Sequence, residues 1–330
     1  MQDRIFQFRK VSLASDLPFG HFGIQDSKGW VGQGEIKSQD ENRVIKEGGR
    51  RLHGHIRSSF RAKPLITVIT AVYNGAEFIE ASILSVINQS YDNVQYIIID
   101  GASTDDTLNI IMKYDDRIDY WISEPDTGIY DAINKGVSIV NDGWILVLGA
   151  DDCLLRGALE KVSKYLSDPN SVYYGNVLMP GWGKVFGGKF SRYRVMYSNI
   201  PHQAVFYPAW LANRYKYSLK YRIAGDYELL IKLFCRKELR FVYIPVVVTI
   251  YNDENGVSSN CSDKIFYNDK RLLIKQYFPV YLYFLFIVRF FFFEWLEKFG
   301  LKSIIKNLFG GILRQFYYQR RYENSKIHEK

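Results

Sequence analysis

The chain has 330 residues, 47% hydrophobic and 24% charged, a composition that excludes a wholly disordered, collagen-like or disulfide-framework protein. Its net charge of +8 is unevenly spread: residues 1–63 carry twelve basic and seven acidic side chains, residues 297–330 eight and three, and 64–296 23 and 25. A nucleic-acid binder carries its positive charge on the folded domain, so basic flanks around a slightly acidic middle point to an enzyme core near an anionic surface; solvated basic tails are the plainer alternative. Cys153, Cys235 and Cys261 form no CxxC pair, which suits a reducing compartment and no cysteine-held metal. MQDRIFQFRK at the start holds no continuous apolar run, so a cytoplasmic location is expected.

Residues 1–63 lack sustained periodicity, and short strands or an irregular extension are both open there. After Pro64, LITVITAV (65–72) is a continuous apolar run of strand length that ends in the breaker Tyr73-Asn74-Gly75. Residues 76–89 place Phe78, Ile79, Ile83, Val86 and Ile87 on one helical face. VQYIIID (94–100) reads as a second buried strand, and STDDTLNIIMKY (103–114) as a helix opened by Ser, Thr and acids. IDYWISE (118–124) is a third strand and DTGIYDAINKGVSIV (126–140) a helix. WILVLGADD (144–152) is a fourth strand that ends on paired acids, with a helix over 154–166 behind it. Such alternation predicts an α/β protein: a mostly parallel sheet flanked by helices, whose ligands bind beyond the carboxyl ends of the strands. Asp100, Asp151 and Asp152 fall at such ends.

Adjacent carboxylates at a strand mouth repel unless a cation or donor is near. Hard oxygen ligands of this kind suit Mg²⁺ or Mn²⁺, which in turn hold phosphates. The alternative is that one aspartate caps the following helix and the other is solvated. In DGASTDDT (100–107), Gly101 allows a tight turn, Ser103 and Thr104 can cap the next helix, and Asp100 is left to accept a hydrogen bond from a base or ribose. Asp226 opens the amphipathic run YELLIKLF, as a helix cap or as a catalytic base. His202-Gln203 precedes the short strand AVFY, and a structural and a functional histidine are both open.

The run PLITVITAVYNGAEFIEASILSVINQSYDNVQYIIIDGASTDDT resembles the opening of inverting family 2 glycosyltransferases, which have the GT-A, Rossmann-like fold. EPDTGIYDAINKG, LGADD, PHQAVFY and AGDYELLIKL follow in the family's order, over roughly 64–250, with a likeness to bacterial polysaccharide-assembly enzymes of the colanic-acid type. The resemblance implies that Tyr73, Asn74 and Ser103 lie beside the nucleotide and that Asp100 contacts its base, usually uracil. It implies that Asn134 and Lys135 close over the nucleotide. It gives Asp151 and Asp152 the Mn²⁺ or Mg²⁺ and the diphosphate, Asp226 the role of base, and His202 and Gln203 a place beside acceptor and diphosphate. Gly149 stands where many relatives carry a first aspartate, so a two-carboxylate site is expected. Gly225 stands where many carry glutamate.

Tyr277–Leu296 holds eleven aromatic residues in twenty, with Arg289 and Glu294 its charges. Beyond it, apolar residues from Leu301 to Phe316 recur at helical spacing among Lys and Arg. Such a tail reads as a helical, membrane-associating extension lying peripherally on an anionic surface, rather than as a span. A pair of helices packed on the catalytic domain is the alternative. The expected division is an extension over 1–63, a catalytic domain over 64–260 and a helical region over 261–330, with a chain ended near Asn268 folding by itself. The leading account is metal-dependent transfer from a nucleotide-sugar, UDP foremost, to a saccharide or lipid-linked saccharide, with no nucleic-acid partner. A nucleotidyltransferase would want a Gly-rich basic loop that AVYNGAEF lacks, and a non-catalytic sugar-binding or scaffold role does not need four acids kept together.

Overall fold

The computed structural model describes residues 34–37, 44–60, 63–254 and 263–298. The strands are β1 (Gly34–Lys37), β2 (Val44–Gly48), β3 (Ile66–Val72), β4 (Val94–Asp100), β5 (Tyr120–Ser123), β6 (Trp144–Gly149), β7 (Cys153–Leu154), β8 (Ser171–Met179), β9 (Lys184–Phe186), β10 (Val205–Pro208) and β11 (Arg240–Ile250). The helices are α1 (Ile79–Ile87), α2 (Thr107–Lys113), α3 (Ile129–Ser138), α4 (Ala158–Ser163), α5 (Arg192–Val195), α6 (Ala209–Arg214), α7 (Gly225–Phe234), α8 (Lys264–Tyr277) and α9 (Val280–Lys298).

All the strands join one sheet in the order β1-β2-β5-β4-β3-β6-β10-β8-β11-β7, with β9 paired to β8. β3 lies between parallel β4 and β6, with Val68 opposite both Tyr96 and Leu146. The continuous apolar runs are explained by burial on both faces. Ile97, Ile99, Ile145 and Val147 pack with residues of α3, α6 and α7, while Ile66, Val68, Ile98 and Leu146 pack with α1, α2 and α4. The α/β sheet expected from the sequence is therefore the observed one. Its helices are shorter than their apolar periodicity suggests, because loop residues before them are used elsewhere. Asp105 accepts from the Ala76 and Thr107 amides, so α2 begins only at Thr107.

β-pairing runs across the expected limit at 63, and the described elements on either side of the one at 261 share a core. β2 pairs antiparallel with β5, Lys46 opposite Ser123, and extends the sheet ahead of Pro64. Arg57 donates from Nε to buried Asp119 at 2.9 Å, and the other Asp119 oxygen accepts from the Tyr96 amide at 2.8 Å. At the other end, Phe266, Ile274, Phe278, Leu282 and Phe286 are buried in the same core as α7. The helical pair thus packs on the catalytic domain along one side, and a cut near Asn268 would run through that core. Among the described residues no helix is long and apolar enough to cross a membrane. The expected basic helix beyond 298 lies outside the described residues.

Candidate active site

Three parallel strands end together, and the first cluster stitches two of their loops. Asn74 takes a left-handed φ of 49°, which asparagine tolerates better than most residues. Its amide donates to Ser103 Oγ at 2.8 Å, and its side-chain oxygen accepts from the Thr104 amide at 2.8 Å. Asp100 is fully buried and accepts from the Ser103 amide and from the hydroxyls of Ser103 and Ser123. Its visible work is to organise the loop. Tyr73, 63% exposed, stands out from this turn, with the half-buried Asp126 nearby. A β-carbon on Gly101 would stand 2.5 Å from Asp126 Oδ2 and 3.4 Å from the Tyr73 ring, so the Asp126 carboxylate packs directly against the glycine. Burial raises the Asp126 carboxyl above its usual range, with Asp131 and Asp100 adding to it against the Gly128 amide and Lys135.

Lys135 bridges Glu124 at 2.7 Å and donates to the Pro125 carbonyl at 3.0 Å. Asn134 is engaged away from this loop: its amide nitrogen donates to the Tyr217 carbonyl and its oxygen accepts from the Tyr217 amide, both at 2.9 Å. Asn134 therefore holds the 215–217 segment against α3.

β6 stops at Gly149, and the Asp152 amide turns back to donate to the Gly149 carbonyl at 3.1 Å. A β-carbon at 149 would lie 2.5 Å from Asp152 Oδ2 and 2.9 Å from Asp151 Oδ1, so both carboxylates converge over the glycine. The Asn252 amide nitrogen donates to Asp152 Oδ1 at 2.9 Å, and the Asn252 side chain reaches Asp151 at 3.5 Å. Burial and the neighbouring Asp151 push the Asp152 carboxyl up to about 6; burial also raises Asp151. A carboxylate pair under this strain is a fit for a divalent cation, since bound positive charge relieves both causes. No group of three or more His, Cys, Asp or Glu side chains arranged to hold a metal is found among the described residues. Gly149 leaves Asp151 and Asp152 as the two carboxylates at this strand end.

Asp226 lies in the first turn of α7 and keeps 15% of its side chain exposed. Oδ1 accepts from the Tyr130 hydroxyl at 3.0 Å, and Oδ2 from the Asn199 side chain at 2.6 Å. His202 Nδ1 stands 3.4 Å from Oδ2, within ion-pair reach but without a formed hydrogen bond. Burial opposes the charge on Asp226. His202, Tyr130 and Asn199 outweigh it and hold the carboxyl below its usual range. Burial likewise disfavours the His202 cation, yet Asp226, Asp152 and Asp151 raise its pKa. His202 therefore joins the carboxylate pair electrostatically to Asp226. Gln203 is buried beside it, and its side chain helps hold the Asp152 carboxyl down against burial. A β-carbon on Gly225 would meet the Tyr130 ring at 2.8 Å, and that ring stacks on Tyr217 at 5.4 Å.

Asp151, Asp152, His202, Gln203 and Asp226 thus come together. Sequence reasoning missed Tyr130, Asn199, Asn252 and Asp126. Asn252 lies 100 residues from Asp152, and no spacing pattern signals such a partner.

A mostly parallel sheet with acids at its carboxyl edge and a helix-borne carboxylate across from them is the GT-A architecture of nucleotide-sugar enzymes. The family model described as Glycosyl transferase family 2 matches residues 67–237. A PGL/p-HBAD biosynthesis glycosyltransferase of Mycobacterium bovis is 33% identical over 213 residues, covering 62% of this chain and 83% of its own length. A putative teichuronic acid biosynthesis glycosyltransferase, TuaG of Bacillus subtilis, is 32% identical over 114 residues, 34% of this chain and 45% of its own. Among solved structures, S. aureus TarS 1-349 in complex with UDP-GlcNAc shares the fold with a TM-score of 0.52 at 17% identity, over 63% of this chain and 65% of that one. The chain belongs to glycosyl transferase family 2 and is a glycosyltransferase.

Proposed function

We propose that the chain is an inverting, metal-dependent glycosyltransferase that moves a sugar from a nucleotide-sugar, a UDP-sugar foremost, to a saccharide or lipid-linked saccharide in cell-surface polysaccharide assembly. The observation that carries this reading is the meeting of the Asp151–Asp152 pair with Asp226 through His202. The UDP-GlcNAc complex of TarS and the biosynthetic names of the relatives support the donor and acceptor classes.

In this reading the nucleoside rests beside Tyr73 and Asp126, while Asp100 and Ser103 hold the loop beneath it. Lys135, paired with Glu124, adds its positive charge beside Asp126. Asp152 and Asp151 would hold Mn²⁺ or Mg²⁺, which when bound neutralises charge gathering on the diphosphate leaving group. Asp226 takes the proton of the acceptor hydroxyl as that oxygen attacks the anomeric carbon from the side opposite the diphosphate, which inverts the centre. Tyr130 and Asn199 fix the carboxylate's orientation, and His202 keeps it ionised. Hydrolysis of UDP-sugars with Mn²⁺ and with chelator tests the reading. Asp152→Asn should abolish the Mn²⁺-dependent rate with the fold intact; an unchanged rate removes Asp152 from the metal site.

A further inference from the structure

α9 has two unlike sides. Leu282 and Phe286 are buried, and Arg289 reaches inward, its Nη1 donating to the Tyr193 hydroxyl at 3.0 Å while its guanidinium covers the Tyr197 ring at 4.4 Å. On the other side Val280, Tyr281, Phe284, Val288, Phe291 and Trp295 are exposed in one stripe, the three-to-four spacing of a single helical face, with no charged residue in it. A helix of 19 residues is about 28 Å long at 1.5 Å per residue, so the stripe is long as well as apolar. Contiguous exposed patches of this kind mark interaction sites.

Charge says which partner fits. The Arg271 guanidinium lies 5.9 Å from the Phe291 ring, at the edge of the stripe, and Lys275 is exposed on the same helix, α8. Between residues 264 and 292 the only acid is Asp269, and Lys220 already pairs with it. Residues 297–330 add eight basic side chains against three acidic. An apolar stripe with a cationic rim matches the two layers of an anionic bilayer: headgroups for the rim, acyl chains for the aromatics.

We propose that the exposed face of α9 docks on an anionic lipid bilayer and turns the acceptor side of the active site toward it. The orientation follows from one short segment. Tyr193 and Tyr197 hold Arg289, Tyr197 stacks on Phe286 with centroids 5.6 Å apart, and Asn199 two residues on donates to Asp226. The docking helix and the base are therefore fixed to the same 192–199 segment, and a saccharide on a lipid carrier would present its hydroxyl from that side. This last step rests on the glycosyl-transfer reading; the docking itself does not.

The test uses the full chain and vesicles of phosphatidylglycerol and phosphatidylcholine, with brominated acyl chains in one set. The chain should sediment with anionic vesicles at least about tenfold more tightly than with pure phosphatidylcholine, since each basic residue near the surface adds about fivefold. Brominated lipid should quench tryptophan emission, and Trp295→Phe should remove most of that quenching while Trp210→Phe, exposed on α6, does not. Val288→Asp with Phe291→Asp should weaken sedimentation tenfold or more and leave vesicle-free donor hydrolysis unchanged. Sedimentation of that variant equal to the parent chain overturns the proposal. So does conversion of a dimer to a monomer with vesicle binding intact, which would mean that a second copy covers the stripe. If docking and quenching persist in a chain that hydrolyses no donor, the glycosyl-transfer reading fails and the docking stands.

Discussion

Gly225 and Gly149 are both closely overlaid by side chains of the site. A side chain at 225 would enter the Tyr130 ring, which is buried and stacked on Tyr217 and so has little room to yield. Gly225→Ala should destabilise the fold by roughly 1–3 kcal/mol, the usual cost of overpacking. It should also lower turnover, because the displaced ring carries the hydroxyl that Asp226 accepts from; a thermal melt and a rate measured on the same preparation check both. Asp226→Asn keeps the shape but cannot take a proton, so turnover should drop by roughly 10²–10⁴, with donor affinity nearly unchanged in a titration. A collapse of donor affinity would instead make Asp226 a binding residue. The pair with His202 also has a pH signature. His202 is raised from 6.5, so its contribution to stability is full below that pH and is lost as pH rises through the higher folded value. Asp226 is lowered from 3.8, so its contribution is full above that pH and is lost as pH falls through the lower folded value. The melting-temperature gap between the parent chain and His202→Gln should therefore be widest between about pH 4 and 6.5 and close as pH rises beyond; a gap that widens with pH would contradict the pairing.

At the scale of elements, what was legible in the sequence follows from how each element is buried. β3, β4 and β6 are covered on both faces, so they read as continuous apolar runs, and their ends place Asp100, Asp151 and Asp152 without any tertiary information. β2, VIKEG, is five residues long and lies between β1 and β5, joining the central sheet through a partner some seventy positions further on. Nothing local marks it. The same holds for Tyr130, Asn199 and Asn252, which act through single contacts between distant segments rather than through a repeat. A chain begun at Pro64 tests this pairing. It would lose Arg57 and leave buried Asp119 without its cation, and it would uncover Trp121, against which Gly48 packs. An orphaned buried partner costs about 1–3 kcal/mol, more for a charged group, so such a chain should melt well below one begun at residue 34. Equal melting temperatures would show that β2 adds nothing to the sheet.

For the molecule as a whole, the decisive matter is whether α8 and α9 are appendages or part of the core. Leu273, Ile274, Phe278, Leu282 and Phe286 each keep less than a tenth of their surface exposed, and they share one cluster with Leu229, Leu230 and Leu233 of α7. Full burial of a large apolar side chain contributes about 1.5–3 kcal/mol, so the five together supply roughly 8–15 kcal/mol, a sum as large as the whole net stability of a typical domain, about 5–15 kcal/mol. Asp226 sits at the start of that same α7 helix, so the proposed base depends on the packing behind it. Ending the chain after Asn268 should therefore yield protein that is insoluble or lacks a cooperative melt, with no donor hydrolysis, although every proposed catalytic residue is retained. Ending it after Lys298 keeps all five side chains and should preserve a cooperative melt and the vesicle-free rate. A soluble, active chain ending at 268 would show that α8 and α9 only rest on the catalytic domain, and the aromatic helix would then be free to leave it.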